Sequence, residues 1–529
     1  MSDASEATLD DTEIENTRMK NKAVPTRAKR FRWIYLAPVL AFIVLGAWAF
    51  ASPIGAGPDD DYHLISTWCA DGGNAQCLPG YDSMHRDINQ EFEGVVCYAQ
   101  HPERSAACQR SVWDSTTRVE SKRGNFVGEY PPVYYSFMHV FAGDNVQLSA
   151  LIMRLFNAAL FVALTTTLAA LLPARRRRTL LWGWLISVIP LGLFLIPSNN
   201  PSGWAITGVG TAFLALLGWF EARGSRRWVL GALYVIGMIM AAGSRGDSAV
   251  YAVGATVTAA ILTATRTREW ALRAILPVAS IVFALVLFLN ASQGNVATMG
   301  FTGNADVSTA AAAAAAPATP GGLVLAAFNL LALPGLWTGV WGTWSLGWFD
   351  TVLPTIVPWT AVSAFVVVAF AGLGRLNWRK AISVGGVLIV LIALPVYVLT
   401  VGGMRVGDSL QPRYLLPLIV LLSLLVVTMP PGRTFGFTRV QMVIIFGALS
   451  IANLVALQVN MRRYVSGAGY QGLNLDSGAK WWWSGFPIGP LWVWMLGALA
   501  FASLLVVLWP QMRRPIVDAV VESPAVTEK

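Results

Sequence analysis

The sequence predicts an all-α polytopic membrane protein, and three features of its composition carry that prediction. Of its 529 residues, 55% are hydrophobic and only 13% are charged, and the mean hydropathy is +0.55. A soluble domain has about 25% charged residues. Apolar runs close to the length of about 20 residues that a spanning helix needs recur along the whole chain. This composition therefore argues against a water-soluble enzyme.

The apolar runs divide the chain into two polar tails and about twelve predicted spans. Residues 1–32 have no apolar periodicity and are typical of a disordered tail, and residues 510–529 form a second tail. The first run ends in small residues, so it is either a signal peptide or, because of its length, an uncleaved anchor, which we favour. The predicted spans are 33–51, 148–172, 179–197, 204–220, 228–243, 248–264, 274–290, 353–372, 381–401, 414–429, 440–459 and 490–509.

The distribution of Lys and Arg predicts the orientation. Fifteen of these residues, including Arg175 to Arg178, lie in one set of short connections, and six lie in the connections of opposite parity. Because basic connections stay in the cytoplasm, we expect the first set and both termini there, in a multi-pass protein of the cell membrane. The net charge of +9 then reflects topology, and no nucleic-acid partner is expected.

All four cysteines lie in the large loop 52–147, which the charge distribution makes the first extracytoplasmic loop. Disulfides persist on that side of the membrane. Four cysteines allow three pairings, and we favour Cys69 with Cys77 and Cys97 with Cys108, because short loops close most easily. Their spacing does not match a zinc site.

Two further regions, 291–352 and 460–489, are expected outside the cytoplasm. The first contains the alanine run Ala310 to Ala316, which is typical of a flexible lid or tether. Residues 323–348 follow; they are apolar but interrupted by Pro334 and several glycines. A re-entrant or interfacial helix is favoured here, because one more crossing would put the later basic clusters outside.

Three carboxylates and an imidazole follow the first span within a few residues. Asp59, Asp60 and Asp61 are consecutive, and His63 is four residues beyond Asp59, on the same face if a helix begins here. Acids at this position can simply cap a helix. Three adjacent acids exceed that need, however, and crowding of like charges raises the pKa of one of them. Such a carboxylate could act as a general base.

Four more polar clusters interrupt the apolar runs, each on the predicted outer side, and tight turns are their simplest explanation. Arg245 and Arg413 lie in two of them and need a partner in this position. They could hold a phosphate by bidentate hydrogen bonds, or form salt bridges with Asp247 or Asp408. The clusters are residues 198–203, 243–247, 347–351 and 408–414.

Together these motifs resemble an uncharacterised family of bacterial multi-pass membrane proteins, best known from actinobacteria, that is grouped with the GT-C glycosyltransferases. The motifs that carry the resemblance are Pro58-Asp59-Asp60 with His63, Asn200-Pro201-Ser202-Gly203, Ser244-Arg245, Gly347-Trp348-Phe349-Asp350-Thr351 with Pro354, and Gln411-Pro412-Arg413-Tyr414. The resemblance covers residues 33–509 and implies one GT-C-like transmembrane domain of about twelve helices with a large disulfide-bearing first extracytoplasmic loop.

The resemblance also implies a reaction and its residues. In GT-C enzymes an acid in the first external loop is the catalytic base or a metal ligand, and the donor is a sugar on a polyprenyl phosphate. These roles fall on Asp59 and Asp60, and the resemblance does not decide between them. A divalent cation is the one candidate cofactor, with Asp350 as a further oxygen ligand. The expected substrate-binding residues are Asp61, His63, Asn200, Arg245, Asp350, Gln411, Arg413 and Tyr414.

The expected partners are thus a lipid-linked sugar donor, a cell-envelope glycan acceptor and the bilayer. A transporter or flippase of a lipid-linked precursor is the main alternative. It would place ionisable residues near the bilayer midplane and often show repeated halves, whereas here the charged motifs gather at one face. A membrane scaffold is a third hypothesis, and it leaves the clustered acids and arginines unexplained.

Overall fold

A computed structural model describes residues 34–113, 115–291, 321–430, 435–470, 472–483 and 486–513. The predicted tail 1–32, the alanine run and nearly all of the tail 510–529 lie outside these residues.

The described chain is mostly helical. Every predicted span contains a helix, and the helices of the membrane region are α1 (Leu36–Phe50), α6 (Val146–Leu171), α7 (Ala174–Ser187), α8 (Leu191–Leu195), α9 (Ser202–Glu221), α10 (Ser225–Ser244), α11 (Gly246–Thr263), α12 (Arg268–Arg273), α13 (Ile275–Asn290), α14 (Gly322–Thr338), α15 (Ile356–Leu373), α16 (Trp378–Val401), α17 (Pro412–Val426), α18 (Arg439–Val465) and α19 (Pro490–Met512). The elements of the first loop are α2 (Asp60–Trp68), β1 (Cys77–Pro79), β2 (Arg86–Asn89), α3 (Glu91–Gly94), α4 (Arg110–Trp113), β3 (Arg118–Ser121) and α5 (Val133–His139).

Nine helices within the described ranges are long and apolar enough to cross a bilayer, so the predicted count of about twelve is not confirmed. Two predicted spans are shorter than expected, because α1 and α17 have 15 residues each. A third, 179–197, is split: α7 ends at Ser187, and Pro190 separates it from the short α8. Proline cannot donate the hydrogen bond that would continue a helix.

Helix α9 lies at the centre of the bundle, and its apolar stretch is fully buried by its neighbours. Its closest partner is α10, which it meets at Gly208 and Gly237. A Cβ atom on Gly208 would lie 2.6 Å from the backbone nitrogen of Ala241, and one on Gly237 would lie 2.7 Å from that of Ala212. Small residues four apart on both helices allow this close approach, as in other membrane helix pairs.

The first loop folds over one end of the bundle around a three-stranded antiparallel sheet of order β1-β2-β3. The predicted disulfide pairing is confirmed. Cys69 is bonded to Cys77 and Cys97 to Cys108, over sequence separations of 8 and 11 residues. The second bridge closes the segment that carries Gln100.

Helix α14 corrects one detail of the sequence analysis. The predicted interruption at Pro334 is wrong, because the helix runs continuously through it from Gly322 to Thr338. Two of its hydrogen-bonding side chains show where it lies along α16. Asn329 hydrogen-bonds Met404 and Val406, beyond the end of α16, whereas the Trp337 indole donates to the carbonyl of Leu391, midway along α16. Since α14 and the following turn are long enough to cross a bilayer, the re-entrant geometry stays a prediction.

The two ends of the bundle differ in charge, as the motif positions predict. At one end the basic connections meet: Arg176 is paired with Glu221 at 2.5 Å, the Arg273 guanidinium donates to the carbonyl of Phe220, and the Lys380 ammonium donates to that of Val426. The four polar clusters and the aspartates lie at the other end, called the outer end below. Which end faces the cytoplasm stays a prediction.

Candidate functional site

The three aspartates lie on a short segment, residues 57–61, that we call the aspartate turn. It joins α1 to α2. Asp59 has a φ of 61°, in the left-handed region that residues with a Cβ rarely adopt. The carbonyl of Pro58 accepts hydrogen bonds from Arg413 at 2.7 Å and from Asn200 at 2.9 Å. Arg413 is in α17 and Asn200 precedes α9, so segments far along the sequence hold the turn in its unusual conformation.

The three carboxylates have different surroundings. The side chain of Asp59 is 34% exposed, and its oxygens are paired with the guanidinium groups of Arg413 and Arg123, the latter at 3.2 Å. Asp61 is 10% exposed and is held by two nitrogens of Arg123 at 2.5 and 3.0 Å. Asp60 is fully buried, 3.8 Å from Arg154. Asp59 is thus the carboxylate that a substrate can reach most easily.

Burial and nearby charges shift the pKa values of Asp59 and Asp60 in opposite directions. Burial by itself would raise the pKa of Asp59, but the positive charges of Arg413 and Arg123 outweigh it and hold that pKa well below its usual range. For Asp60, burial outweighs the attraction of Arg154 and raises the pKa to about 6. The prediction that one carboxylate has a raised pKa therefore fits Asp60, with burial as the main cause and the neighbouring Asp61 as a small one.

Arg413 and Arg245 both lie close to one aromatic ring. The Cζ atoms of Arg245 and Arg413 are 4.5 and 4.9 Å from the centre of the Tyr414 ring. Arg245 also forms a bidentate pair with Asp247, at 2.8 and 2.9 Å. Both arginines therefore have a carboxylate partner, as the salt-bridge alternative predicted. The partner of Arg413 is Asp59, however, and Asp408 instead accepts the backbone N–H of Arg405.

His63 and Asn200 lie behind the aspartate turn, on its protein-facing side. His63 is 1% exposed, and its Nδ1 is 2.8 Å from the Tyr135 hydroxyl. Burial lowers the pKa of His63 well below its usual range despite the nearby Asp59, so the ring is neutral at pH 7. Asn200 is fully buried. Both residues were predicted to bind substrate; their positions instead suit support of the turn.

Asp350 belongs to a neighbouring group of residues. Its Oδ2 accepts hydrogen bonds from Arg463 at 2.7 Å and from the backbone N–H of Gln100 at 3.2 Å. The adjoining Trp348 indole donates to the carbonyl of Gly55, just before the aspartate turn. Asp350 also lines a cavity of about 520 Å³, which is the size of many ligand pockets.

Gln411 lines a second and much smaller cavity together with Pro58, Phe349 and Arg413. Its volume is about 20 Å³, room for about one water molecule. Gln411 Oε1 and Arg413 Nε are buried without a hydrogen-bond partner in the described structure. The predicted motif at 411–414 therefore reaches the aspartate turn through Arg413, while Gln411 faces this small space.

The residues and folded segments described above can be compared with known proteins. Residues 42–422 match a family described as predicted membrane protein (DUF2142). The chain belongs to this family. The match extends over most of the DUF2142 chain and includes every predicted site residue from Asp59 to Tyr414, whereas α18 and α19 lie beyond it. Comparisons with curated proteins and with solved structures gave no match.

Sequence reasoning missed three arginines of this DUF2142 protein. Arg154 donates to the carbonyls of Ser52 and Pro53 at 2.7 and 2.9 Å and so fixes the chain that leads into the aspartate turn. A lone arginine within the apolar α6 was a usable signal. Arg463 was counted only for topology. Arg123 lies in an irregular loop, where no sequence pattern distinguishes it.

The arrangement does not match the divalent-cation site that the sequence left open. Both oxygens of Asp59 are paired with guanidinium groups, and Asp350 is bonded to Arg463. Across the described ranges, no group of three or more His, Cys, Asp or Glu side chains is arranged to hold a metal ion.

Proposed function

We propose that this protein is a membrane glycosyltransferase that moves a sugar from a polyprenyl-phosphate donor to an extracytoplasmic cell-envelope glycan, with inversion at the anomeric carbon. One observation carries the proposal: an accessible carboxylate, Asp59, lies between two guanidinium groups at the outer end of a membrane bundle. A carboxylate can take a proton from a hydroxyl, and guanidinium groups bind phosphate. Both functions are needed for this transfer.

The depth of the cluster suits a lipid-linked substrate. Helices α1 and α17, which lead to Asp59 and Arg413, have 15 residues each and are therefore about 22 Å long. A bilayer's hydrocarbon core is about 30 Å thick. Asn460, five residues before the end of α18, donates to the carbonyl of Ala51 just after α1, so α18 extends past the point where α1 ends. A donor anchored by its lipid chain can present its phosphate and sugar at that depth.

Asp59 is our choice for the proton acceptor, and Asp60 for a supporting role. Asp60 has a pKa nearer to neutrality, which would favour it as a base. It is fully buried, however, and its Oδ2 accepts the backbone N–H of Gly57 at 3.0 Å. Its main function is then to shape the turn that presents Asp59.

The proposed reaction is a single displacement. The acceptor hydroxyl oxygen attacks the anomeric carbon, the bond from that carbon to the phosphate oxygen breaks, and polyprenyl phosphate leaves with the electron pair. Asp59 takes the hydroxyl proton. Phosphate leaves without prior protonation, so no acid partner is required, unlike in glycoside hydrolysis. A donor phosphate beside Arg413 would offset its positive charge, and the pKa of Asp59 would rise toward its usual value.

The residues at the centre of the bundle do not favour the flippase alternative. Helix α9, which is surrounded by other helices, carries no Asp, Glu, Lys or Arg before Glu221 at its end. A flippase for a phosphate-bearing lipid needs a polar path through the membrane. The ionisable residues nearest the aspartate turn instead lie at the outer end.

A transfer assay tests the proposal. Purified protein is incubated with a radiolabelled polyprenyl-phosphate sugar and a cell-envelope glycan, and labelled product is measured. We expect Asp59→Asn to lower the rate by about 10²- to 10⁴-fold, because the proton acceptor is lost. Asp87→Asn is the matched control: it removes another arginine-paired carboxylate, bonded to Arg118 on the sheet, and should leave the rate unchanged.

Two results would contradict the proposal. Undiminished transfer by Asp59→Asn would remove the catalytic assignment. Movement of the labelled lipid between leaflets without any transfer would instead support the flippase. Size-exclusion profiles of all variants show whether a loss of rate reflects misfolding.

A further inference from the structure

The cavity of about 520 Å³ lies at the outer end of the bundle, beside the aspartate turn. Three segments form its wall: the disulfide-closed segment near Gln100, residues 348–352 and the end of α18. The lining residues are Gln100, Pro102, Trp348, Phe349, Asp350, Thr351, Val352, Val459, Arg462, Arg463 and Ala468. Of these lining residues, only Asp350 is among the site residues predicted from the sequence.

Arg462 supplies the net charge of this cavity. The negative charge of Asp350 is already neutralised by Arg463, whose guanidinium also donates to the carbonyls of Tyr98 and Arg104. The Arg462 side chain makes no hydrogen bond or ion pair with any described residue, and its Nε is buried. A buried donor without an acceptor is unfavourable. An anionic ligand in the cavity would give the Arg462 guanidinium a partner.

The cavity also adjoins an exposed apolar surface. Val352 is 72% exposed and Phe349 is 42% exposed, and Trp359, one turn into α15, is 72% exposed. Large apolar side chains at these exposures are suited to lipid. Exposed tryptophans of membrane helices concentrate at the bilayer interface, and Arg462 lies within one turn of the end of α18. Lipid phosphates lie at that same level.

Phe349 lines both this cavity and the small cavity that contains Arg413 and Pro58. Its φ of 61° is in the left-handed region, so the surrounding structure holds this residue in place. Its ring packs edge-on against Trp344, with centroids 5.9 Å apart. The ring thus separates the larger cavity from the residues next to Asp59.

We propose that this cavity binds the phosphate group of a membrane lipid, with Arg462 as the phosphate ligand and the lipid chain along the seam between α15 and α18. A guanidinium forms charge-assisted hydrogen bonds with phosphate oxygens. The exposed Val352 and Phe349 contact the first part of the chain. Resting on the proposed function, the lipid is the polyprenyl-phosphate sugar donor, which docks here before its sugar passes Phe349 toward Asp59.

Binding to the purified full chain in detergent tests the proposal without requiring transfer. The probe is decaprenyl monophosphate, followed by native mass spectrometry, with decaprenol as the chain without phosphate and inorganic phosphate as the anion without a chain. We expect decaprenyl monophosphate to bind most tightly. Arg462→Gln should weaken its binding by about tenfold or more, as expected for loss of a charged hydrogen bond.

Arg405→Gln is the matched control, since it removes an exposed cation at the same end of the bundle but outside the cavity. It should leave binding unchanged. Equal binding by wild type and Arg462→Gln would overturn the proposal, as would equal binding of decaprenol. Binding of inorganic phosphate as tight as that of the lipid would show an anion site without lipid selectivity and would overturn it too.

The same variants separate this proposal from the proposed function. Asp59→Asn should bind decaprenyl monophosphate normally while losing transfer. If the wild-type protein transfers no sugar but its lipid binding depends on Arg462, the glycosyltransferase assignment fails and the lipid-phosphate site stands. If transfer depends on Asp59 and lipid binding is insensitive to Arg462, the opposite conclusion follows.

Discussion

Asp60 keeps a carboxylate in the protein interior, and its raised pKa makes stability depend on pH. The pKa is about 6 in the folded protein and 3.8 for an ordinary Asp. Between these values the folded state retains a proton that the unfolded state releases, so stability falls as pH rises from about 4 to above 6. The total effect is about 3 kcal/mol. Above pH 7 the folded protein carries a buried charge that Arg154 only partly offsets.

We therefore expect Asp60→Asn to be more stable than wild type at pH 8 and similar to it at pH 4. The neutral amide keeps an oxygen for the backbone N–H of Gly57 and carries no charge to bury. Apparent melting temperatures in detergent, measured at both pH values for both proteins, check this. An equal difference between the two proteins at the two pH values would mean that Asp60 does not titrate in this range.

The candidate site could be located from the sequence, but the roles of its individual aspartates could not be assigned. Three adjacent acids after a membrane span are visible in any reading of the chain. Their separation into an accessible, ionised Asp59 and a buried, protonatable Asp60 depends on Arg413, Arg123 and Arg154. These arginines are between 62 and 354 residues away from their acids, and no local pattern encodes such contacts.

At the scale of elements, the contact of α9 with α10 depends on two glycines. We expect Gly208→Leu to destabilise the protein by about 1–3 kcal/mol or more, because its side chain would meet backbone atoms of α10 that cannot move aside. A lower melting temperature and loss of the monodisperse size-exclusion peak would show this.

Gly447→Leu, in α18, is the matched control, since nothing lies within 4 Å of a Cβ atom at that position. It makes the same change in side-chain volume within another long membrane helix. Similar melting temperatures for Gly208→Leu and Gly447→Leu would show that close approach at Gly208 is unimportant. The comparison separates steric overlap from the general effect of replacing a glycine in a helix.

The helices themselves could largely be predicted, because each apolar run contains one. Their ends and lengths could not. Hydropathy does not distinguish a 15-residue helix such as α17 from the end of a longer apolar run. Pro190 and Pro334 illustrate the same limit: the first separates two helices and the second lies inside one, since packing decides whether a lost hydrogen bond is tolerated.

At the scale of the whole molecule, the bundle has an outer end with the aspartate turn and an opposite end with the basic connections. The number of crossings between any two positions decides whether they lie on the same side of the membrane. Four helices, α15 to α18, separate Gly322 from Lys480 if α14 is re-entrant. If α14 crosses as well, the number is five, and the two positions lie on opposite sides.

Labelling of single added cysteines tests this arrangement. All four native cysteines are in disulfides, so a maleimide reagent finds no native free thiol. We expect Gly322→Cys and Lys480→Cys to react with an impermeant maleimide in intact cells, and Arg223→Cys to react only after permeabilisation. All three positions are exposed. Protection of Gly322→Cys alone would show that α14 crosses, and reversal of all three results would place the aspartate turn in the cytoplasm, where the proposed acceptor glycan is absent.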